Sequence, residues 1–132
     1  MSSNVEIVTD LYAAYQSGDL DAIRARLAAD LVVAQSPGLP WSGAYHGTDG
    51  FFQFIGMLLS HIETEVHTEH IYDAGDAVVQ VGRTVGRIRA NGATFDAPEV
   101  HVLTLRDSKI VHFQVYVDVD QMLSALHRQA SA

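Results

Sequence analysis

An arginine on an otherwise apolar strand face is the first residue in this sequence that suggests chemistry. Arg83 alternates with Val81 and Val85, and side chains two residues apart on a strand share a face. A buried guanidinium must be paired, because an unpaired buried charge is very costly. Arg83 is therefore predicted to anchor a ligand carboxylate, enolate or phenolate, with an internal ion pair as the alternative. Arg87 is predicted to form a cross-strand ion pair with Asp96 at the mouth of a ligand pocket on this face, with a ligand role as its alternative.

Four polar side chains closer to the N-terminus are further candidates. Gln35 and Ser36 end a predicted strand and could face a ligand, although Ser36 could equally form a turn before Pro37. Tyr12 and Tyr15 lie on the first predicted helix, where either hydroxyl could reach a pocket, and Tyr15 is a weak candidate for catalysis. The alternative is that both are half-buried core aromatics with solvated hydroxyls.

Two histidines and a tryptophan complete the set of candidates. Trp41 and His46 lie in the loop "LPWSGAYHG", which is predicted to cross the pocket mouth and to cover a ligand or contact a partner subunit. His46 is the best placed imidazole for acid–base catalysis, with a solvated loop histidine as the alternative. His70 faces the pocket if Ala74-Gly75 forms a tight turn.

Composition narrows the classes of function. A formal net charge of −8 argues against nucleic acid and anionic membranes as partners. The chain has no cysteine, which excludes thiol nucleophiles and iron–sulfur clusters. The histidines lack metal-ligand spacing and no nucleotide fingerprint is present, so neither a metal nor a cofactor is predicted. The start "MSSNVEIV" does not resemble a signal peptide, and "FFQFIGMLL" is too short to span a bilayer, so a cytoplasmic protein is expected.

The pattern of elements predicts one α+β domain over residues 1–132, with helices on one face of a curved, mainly antiparallel sheet. Ser3, Asp19, Thr48 and Asp118 are predicted helix caps. The helix that follows Thr48 is apolar nearly all round and is expected to be deeply buried.

Turn signals then predict how the strands pair. Asn91-Gly92 and Asp107-Ser108 are each predicted to be two-residue hairpin turns. Counting back from these turns assigns two faces to the sheet. A one-residue bulge would swap these assignments locally, and Pro98 is a plausible place for one. The predicted concave face is Val81, Arg83, Val85, Arg87, Asp96, Val100, Val102, Phe113, Val115 and Val117. The predicted outer face, suited to a second copy of the chain, is Gly82, Thr84, Gly86, Glu99, His101, Gln114 and Tyr116.

Three segments resemble a known superfamily. "LYAAYQSGDLDAIRARLAADLVV", "HVLTLRDSKIVHFQVYVD" and "YVDVDQMLSAL" are similar to parts of nuclear-transport-factor-2-like proteins, particularly the SnoaL-like and ketosteroid-isomerase-like branch. The resemblance implies a cone-shaped cystatin-like α+β roll. It also implies a small-molecule pocket between the concave sheet face and the helices, and a homodimer through the outer sheet face.

The resemblance places few of the family's catalytic groups in this chain. The second acid of ketosteroid isomerases falls at Val100, their base at Ser36 and their tyrosine at Leu11. The Arg-x-Asp motif of the similar limonene-epoxide hydrolases keeps Arg83 but has Val85 for the aspartate. Their second aspartate falls at the apolar Val115, among the predicted wall residues with Phe113. Both activities are therefore argued against, because each needs a base within hydrogen-bond reach.

Three functional classes follow from this reading. The first is a binder of a small organic acid, phenol or polyketide- or steroid-like molecule with Arg83 as its anchor. The second is a cofactor-free isomerase, cyclase or hydratase that uses tyrosine or histidine. The third is a dimerisation module whose pocket is filled by its own side chains. Contact between a tyrosine hydroxyl and a histidine in the pocket would favour the second class, whereas one anchor among apolar walls would favour the first.

Overall fold

Three of the helices begin at a predicted capping residue. The side-chain oxygens of Ser3, Asp19 and Asp118 each accept a hydrogen bond at 3.1–3.2 Å from the backbone amide three residues further on. The third helix begins earlier than predicted, at Gly47, without a side-chain cap, so the prediction for Thr48 is wrong. The helices are α1 (Asn4–Ser17), α2 (Leu20–Ala25), α3 (Gly47–His61) and α4 (Val119–Leu126).

This computed structural model describes residues 3–128 and contains one curved sheet. Its strands are β1 (Leu27–Gln35), β2 (Gly43–His46), β3 (Ile62–Ala74), β4 (Ala77–Ile88), β5 (Thr94–Arg106) and β6 (Lys109–Val117). They lie in the order β2-β1-β6-β5-β4-β3, and all neighbours are antiparallel except β1 and β6. The predicted α+β class is confirmed. The sequence reading missed β2, which lies in the Gly- and Pro-rich loop.

A one-residue bulge in β6 overturns the predicted faces of β4 and β5, whereas those of β6 are as predicted. Asp107 and Ser108 form the expected turn with positive φ angles, but the register shifts at Val111. His101 therefore lies opposite Val115, where the regular count placed Val100. Because side chains alternate along a strand, this single step moves every residue of β5 to the other side relative to β6.

The β4–β5 connection is longer than predicted. It runs from Arg89 to Ala93, so Asn91-Gly92 is not a two-residue hairpin turn. The Asn91 amide donates to the carbonyl oxygens of Ala125 at 2.9 Å and Arg128 at 2.7 Å. A capping contact with the end of α4 thus takes the place of the tight turn.

Two glycines of β4 let β3 curl over the concave face. A Cβ on Gly82 would lie 2.2 Å from the His67 carbonyl oxygen, and one on Gly86 would lie 1.8 Å from that of Glu63. Glycine is found in strands where another backbone approaches closely. The close approach expected of a partner sheet is therefore made inside this chain.

Helix α3 packs on the concave face with one side only. Phe51 and Phe54 are buried, whereas Met57 is exposed, so the expectation of burial on all sides is wrong. No helix within residues 3–128 has the length and apolar character needed to cross a membrane. Helices α1 and α3 leave a cavity between themselves and the sheet.

Candidate functional site

An interior cavity lies between the concave sheet face and helices α1, α3 and α4. The space open to the centres of water molecules is about 80 Å³, and one water needs roughly 10–15 Å³. Most of the walls are apolar. The cavity is lined by Leu11, Tyr12, Tyr15, Gln35, Trp41, Phe51, Phe54, Ile55, Leu58, Ile62, Thr64, Val66, Thr84, Glu99, His101, Phe113, Val115, Val117 and Met122.

A tyrosine–histidine contact forms one wall of this cavity. The Tyr12 hydroxyl lies 2.6 Å from Nδ1 of His101, and the two rings stack with their centroids 5.9 Å apart. The contact joins α1 to β5 and is flanked by Phe113, whose ring centroid lies 5.2 Å from that of His101. The hydroxyl and the ring nitrogen are within hydrogen-bond distance, and the tautomer of the imidazole decides which of them donates.

Glu99 brings a carboxyl group into the same cavity. It is only 3% exposed, and its Oε2 lies 3.1 Å from Nε2 of His101. The two residues are neighbours on one face of β5, and the contact lacks the alignment of a hydrogen bond. Within residues 3–128, neither carboxyl oxygen has a hydrogen-bond partner. A buried carboxyl group in that condition needs a proton, a water or a ligand.

Burial controls the protonation of these three groups. Desolvation raises the pKa of Glu99 to about 7, the nearby Gln80 amide offsets part of the rise, and the charge of Glu69 adds to it. Desolvation lowers the pKa of His101 to about 3, so this imidazole is neutral at pH 7. Desolvation, and secondarily the charge of Glu99, raises the pKa of Tyr12 well above its usual value. The cavity therefore holds a neutral donor, a neutral imidazole and a carboxyl group that titrates near neutrality.

The buried amide of Gln80 lies near Glu99 on the neighbouring strand and lowers its pKa, but it makes no hydrogen bond of good geometry with the carboxyl group. Gln80 is fully buried opposite His101, and its Nε2 donates to Thr68 Oγ1 at 2.9 Å. Gly82 lies opposite Glu99, and a Cβ there would lie 3.0 Å from Glu99 Oε1. The missing side chain of Gly82 thus leaves room for the carboxyl group.

Six of the predicted ligand-binding residues line the cavity. They are Tyr12, Tyr15, Gln35, Trp41, Phe113 and Val115. Trp41 is 1% exposed and belongs to the wall, not to a loop over the mouth. The amide of Gln35 donates to Ser36 Oγ at 3.1 Å, and Ser36 itself is outside the lining.

Arg83 is not in the cavity. It lies on the outer face of β4, where its guanidinium pairs with Asp96 and donates to the Asp96 carbonyl oxygen at 3.0 Å. Its predicted position on the concave face is wrong, and its ion pair is exposed and not the internal one that was the alternative. Arg87 pairs with Glu63 at 3.0 Å and not with Asp96. Val85 shares this outer face.

The other predicted site residues also lie elsewhere. Val100 is on the outer face opposite Val81. His70 also lies opposite Val81, after a register shift in β3, and is exposed. His46 is an exposed residue at the start of α3. None of the three lines the cavity, so their predicted positions are wrong.

The residues assigned to a dimer interface are divided between the two faces. Thr84, Glu99 and His101 line the cavity, and Gly82 and Gly86 share their face of the sheet. Gln114 and Tyr116 are on the outer face, as predicted, opposite Val102 and Val100. Glu99 and His101 were therefore predicted on the wrong side of the sheet. The period-two pattern correctly placed the two residues on one face, and the one-residue bulge in β6 turns that face inward.

A surface groove adjoins the cavity. It runs between α1, α3 and β3, has a volume of about 750 Å³ and shares Tyr12, Tyr15, Phe51, Ile55, Thr64 and Val66 with the cavity lining. The partly exposed side of α3 contributes Phe52 and Leu59. The groove and the cavity are therefore separated only by these shared side chains, of which Tyr12 is one.

Comparisons with known proteins agree with this architecture. The profile of the SnoaL-like domain matches residues 8–113. An NTF2-like protein from Burkholderia thailandensis is 29% identical, with a TM-score of 0.90 over 97% of this chain and 100% of that chain. A candidate SnoaL-like polyketide cyclase from Jannaschia is 23% identical, with a TM-score of 0.82 over 93% and 90%.

A third structure comes from Catenulispora acidiphila. It is a protein with a ketosteroid isomerase-like fold in complex with trimethylamine, 24% identical, with a TM-score of 0.78 over 91% of each chain. Because the Jannaschia and Catenulispora proteins are less than 25% identical to this chain, their similarity shows a shared fold and nothing about function. No protein of curated function matches the sequence.

Proposed function

Because the chain belongs to the SnoaL-like domain family, whose fold encloses a pocket, we propose that it is a cofactor-independent acid–base enzyme of the isomerase or cyclase type. The observation that carries the proposal is the 2.6 Å contact between the Tyr12 hydroxyl and His101 Nδ1 beside the Glu99 carboxyl group. This is the arrangement that distinguishes an enzyme of this kind from a simple carrier.

Each of the three groups has a role in the proposed reaction. Glu99 has a pKa of about 7. Its carboxylate accepts a proton from the substrate, and the resulting carboxylic acid returns that proton to the substrate. His101 stays neutral and, with its proton on Nδ1, donates a hydrogen bond to the Tyr12 oxygen, which leaves the hydroxyl proton of Tyr12 for the substrate. Tyr12 keeps its proton and donates a hydrogen bond to the substrate oxygen on which negative charge develops.

The balance of protons selects the class of reaction. A carboxylate that removes a proton from carbon and returns it at another atom leaves the enzyme unchanged, and no oxidant or co-substrate is consumed. Isomerisation and ring closure satisfy this balance. The Jannaschia neighbour, a candidate polyketide cyclase, supports the second of these as a precedent for the fold. The apolar walls favour a small substrate with few polar atoms.

A carrier with a charged anchor is less well supported. Its predicted anchor, Arg83, pairs with Asp96 on the outer face. Among the described residues, the cavity lining includes neither lysine nor arginine. A small organic acid would therefore meet Glu99 without a compensating cation, so this ligand class is not proposed.

Proton exchange at carbon tests the proposal without knowledge of the natural substrate. A panel of small cyclic ketones in D₂O is incubated with the protein, and loss of the α-proton signals is followed by NMR. We expect exchange above the buffer rate for at least one ketone, reduced roughly 10²–10⁴-fold in Glu99→Gln. Arg83→Met is the matched control and keeps the wild-type rate. Equal exchange by wild-type protein and Glu99→Gln would contradict the proposal.

A further inference from the structure

We propose that the ligand of this cavity carries a small organic ammonium group, with the Glu99 carboxylate as its counter-ion and aromatic side chains as its walls. This inference rests on the proposed function, since it assigns a ligand class to the same cavity. It concerns binding, which can be measured apart from turnover.

The charges around the cavity favour a cation. Glu99 is 3% exposed, lines the cavity and has no hydrogen-bond partner for either oxygen among residues 3–128. His101, whose Nε2 lies 3.1 Å from Glu99 Oε2, is neutral at pH 7 and does not balance a negative charge. An ionised carboxylate in an apolar cavity is stabilised strongly by a positive charge brought into contact with it.

Among residues 3–128, the titratable groups that touch Glu99 or act on it by their charge do not supply that positive charge. They are Tyr12 on α1, His101 on β5 and Glu69 on β3. The charge of Glu69 opposes ionisation of Glu99. The groove that adjoins the cavity carries Glu65, and the whole chain has a net charge of −8. The field at the approach therefore attracts cations and repels anions.

Aromatic rings supply the second component of a cation site. Six of the residues that line the cavity carry phenyl, phenol or indole rings: Tyr12, Tyr15, Trp41, Phe51, Phe54 and Phe113. The faces of such rings attract ammonium groups, and the attraction increases when the cation is removed from water. A carboxylate together with several ring faces is thus selective for an alkylammonium group over a neutral group of the same shape.

The proposed ligand also explains how Glu99 becomes a base. Burial keeps much of this carboxyl group protonated near neutral pH, because its pKa is about 7. A cation in contact with the carboxyl group favours the ionised form. Ligand binding would then release a proton and produce the carboxylate that the proposed reaction requires.

Choline and 3,3-dimethyl-1-butanol test the inference, because they differ only in the replacement of charged nitrogen by neutral carbon. Trp41 is the single tryptophan and lines the cavity, so its fluorescence reports binding. Titrations are made at pH 5.5 and pH 8.5 at constant ionic strength. With a Glu99 pKa of about 7, we expect choline to bind about 30-fold more tightly at pH 8.5.

The neutral alcohol should show the opposite or no dependence on pH. In Glu99→Gln, choline affinity should lose its pH dependence and fall to that of the alcohol, while retained alcohol binding shows that the cavity is intact. Equal affinity for the two compounds at pH 8.5, or wild-type choline affinity in Glu99→Gln, would overturn the inference. Choline binding without ketone exchange would defeat the proposed function alone, whereas Glu99-dependent exchange without choline preference would defeat this inference alone.

Discussion

The hydroxyl of Tyr12 on α1 lies 2.6 Å from Nδ1 of His101 on β5, and this contact joins residues 89 positions apart in the chain. It fixes the helix against the concave sheet face at the place where Glu99 also enters the cavity. The same pair thus contributes to stability and to the proposed chemistry.

Replacement of Tyr12 by phenylalanine should affect both properties. Tyr12→Phe leaves the buried Nδ1 of His101 without its partner, which costs roughly 1–3 kcal/mol of unfolding free energy. Urea denaturation measures this loss, and ketone exchange should slow at the same time. Tyr15→Phe, on the same helix and in the same cavity, keeps the His101 contact and is the control. Equal losses in the two variants would show that the Tyr12–His101 contact has no special role.

Glu99 should make the protein less stable as pH rises. Its pKa is raised from 4.5 to about 7 in the folded state, so the folded protein binds the proton more tightly than the unfolded chain does. The stabilisation by this proton is complete below about pH 4.5 and is lost as pH rises through about 7. Wild-type protein should therefore lose up to about 3 kcal/mol relative to Glu99→Gln across this range. Denaturation of both proteins at several pH values measures the difference, and Glu65→Gln, which removes an exposed carboxylate, should leave it unchanged.

Removal of the Arg83 charge should have little effect. Its partner Asp96 is more than half exposed, and an exposed ion pair contributes at most about 1 kcal/mol. Arg83→Met should bind the choline probe as wild-type protein does, because its side chain is on the outer face. Thermal unfolding and Trp41 fluorescence test both statements. A tenfold loss of choline affinity in Arg83→Met would place this arginine in the site after all.

Replacing Gly82 or Gly56 by alanine should change the stability of the protein in opposite directions. Gly82→Ala brings a Cβ to 2.2 Å from the His67 carbonyl oxygen and to 3.0 Å from Glu99 Oε1. It should destabilise the protein by several kcal/mol, on the order of a large core defect. Gly56→Ala, in α3 with nothing within 4 Å of the new Cβ, should stabilise it by about 0.5–1 kcal/mol. Calorimetric melting of the two variants gives the comparison, and similar melting temperatures would contradict it.

A homodimer stays a prediction. The outer face of the sheet consists of different residues from those predicted, so the proposed interface is revised. The outer face presents Val81, Val100, Val102 and the 49% exposed Tyr116. We propose that a second copy covers these side chains, because the three valines are partly exposed beside Tyr116 and a contiguous apolar surface marks an association site. Light scattering should give twice the chain mass of 14.4 kDa, and Val100→Asp should reduce it to the monomer value. A monomeric wild-type protein would contradict this proposal.

Local sequence determined the elements of the fold and several of their ends. Ser3, Asp19 and Asp118 cap helices where capping chemistry predicts, because the bond from side chain to backbone spans three residues. The alternation along β4 and β5 placed Glu99 and His101 together, and Asp107-Ser108 formed the predicted turn. These features depend on neighbours in the chain, so the sequence alone contains them.

The tertiary structure alone decided which side of the sheet became the site. One extra residue at Val111 reverses β5 relative to β6, and such a bulge leaves no mark in the hydrophobic pattern. Arg83 therefore faces outward to Asp96, while Glu99 and His101 face Tyr12. The sequence determined which residues share a face, because that depends on the pleat of one strand. Which face is buried depends on the packing of helices formed far away in the chain, and only the folded protein defines it.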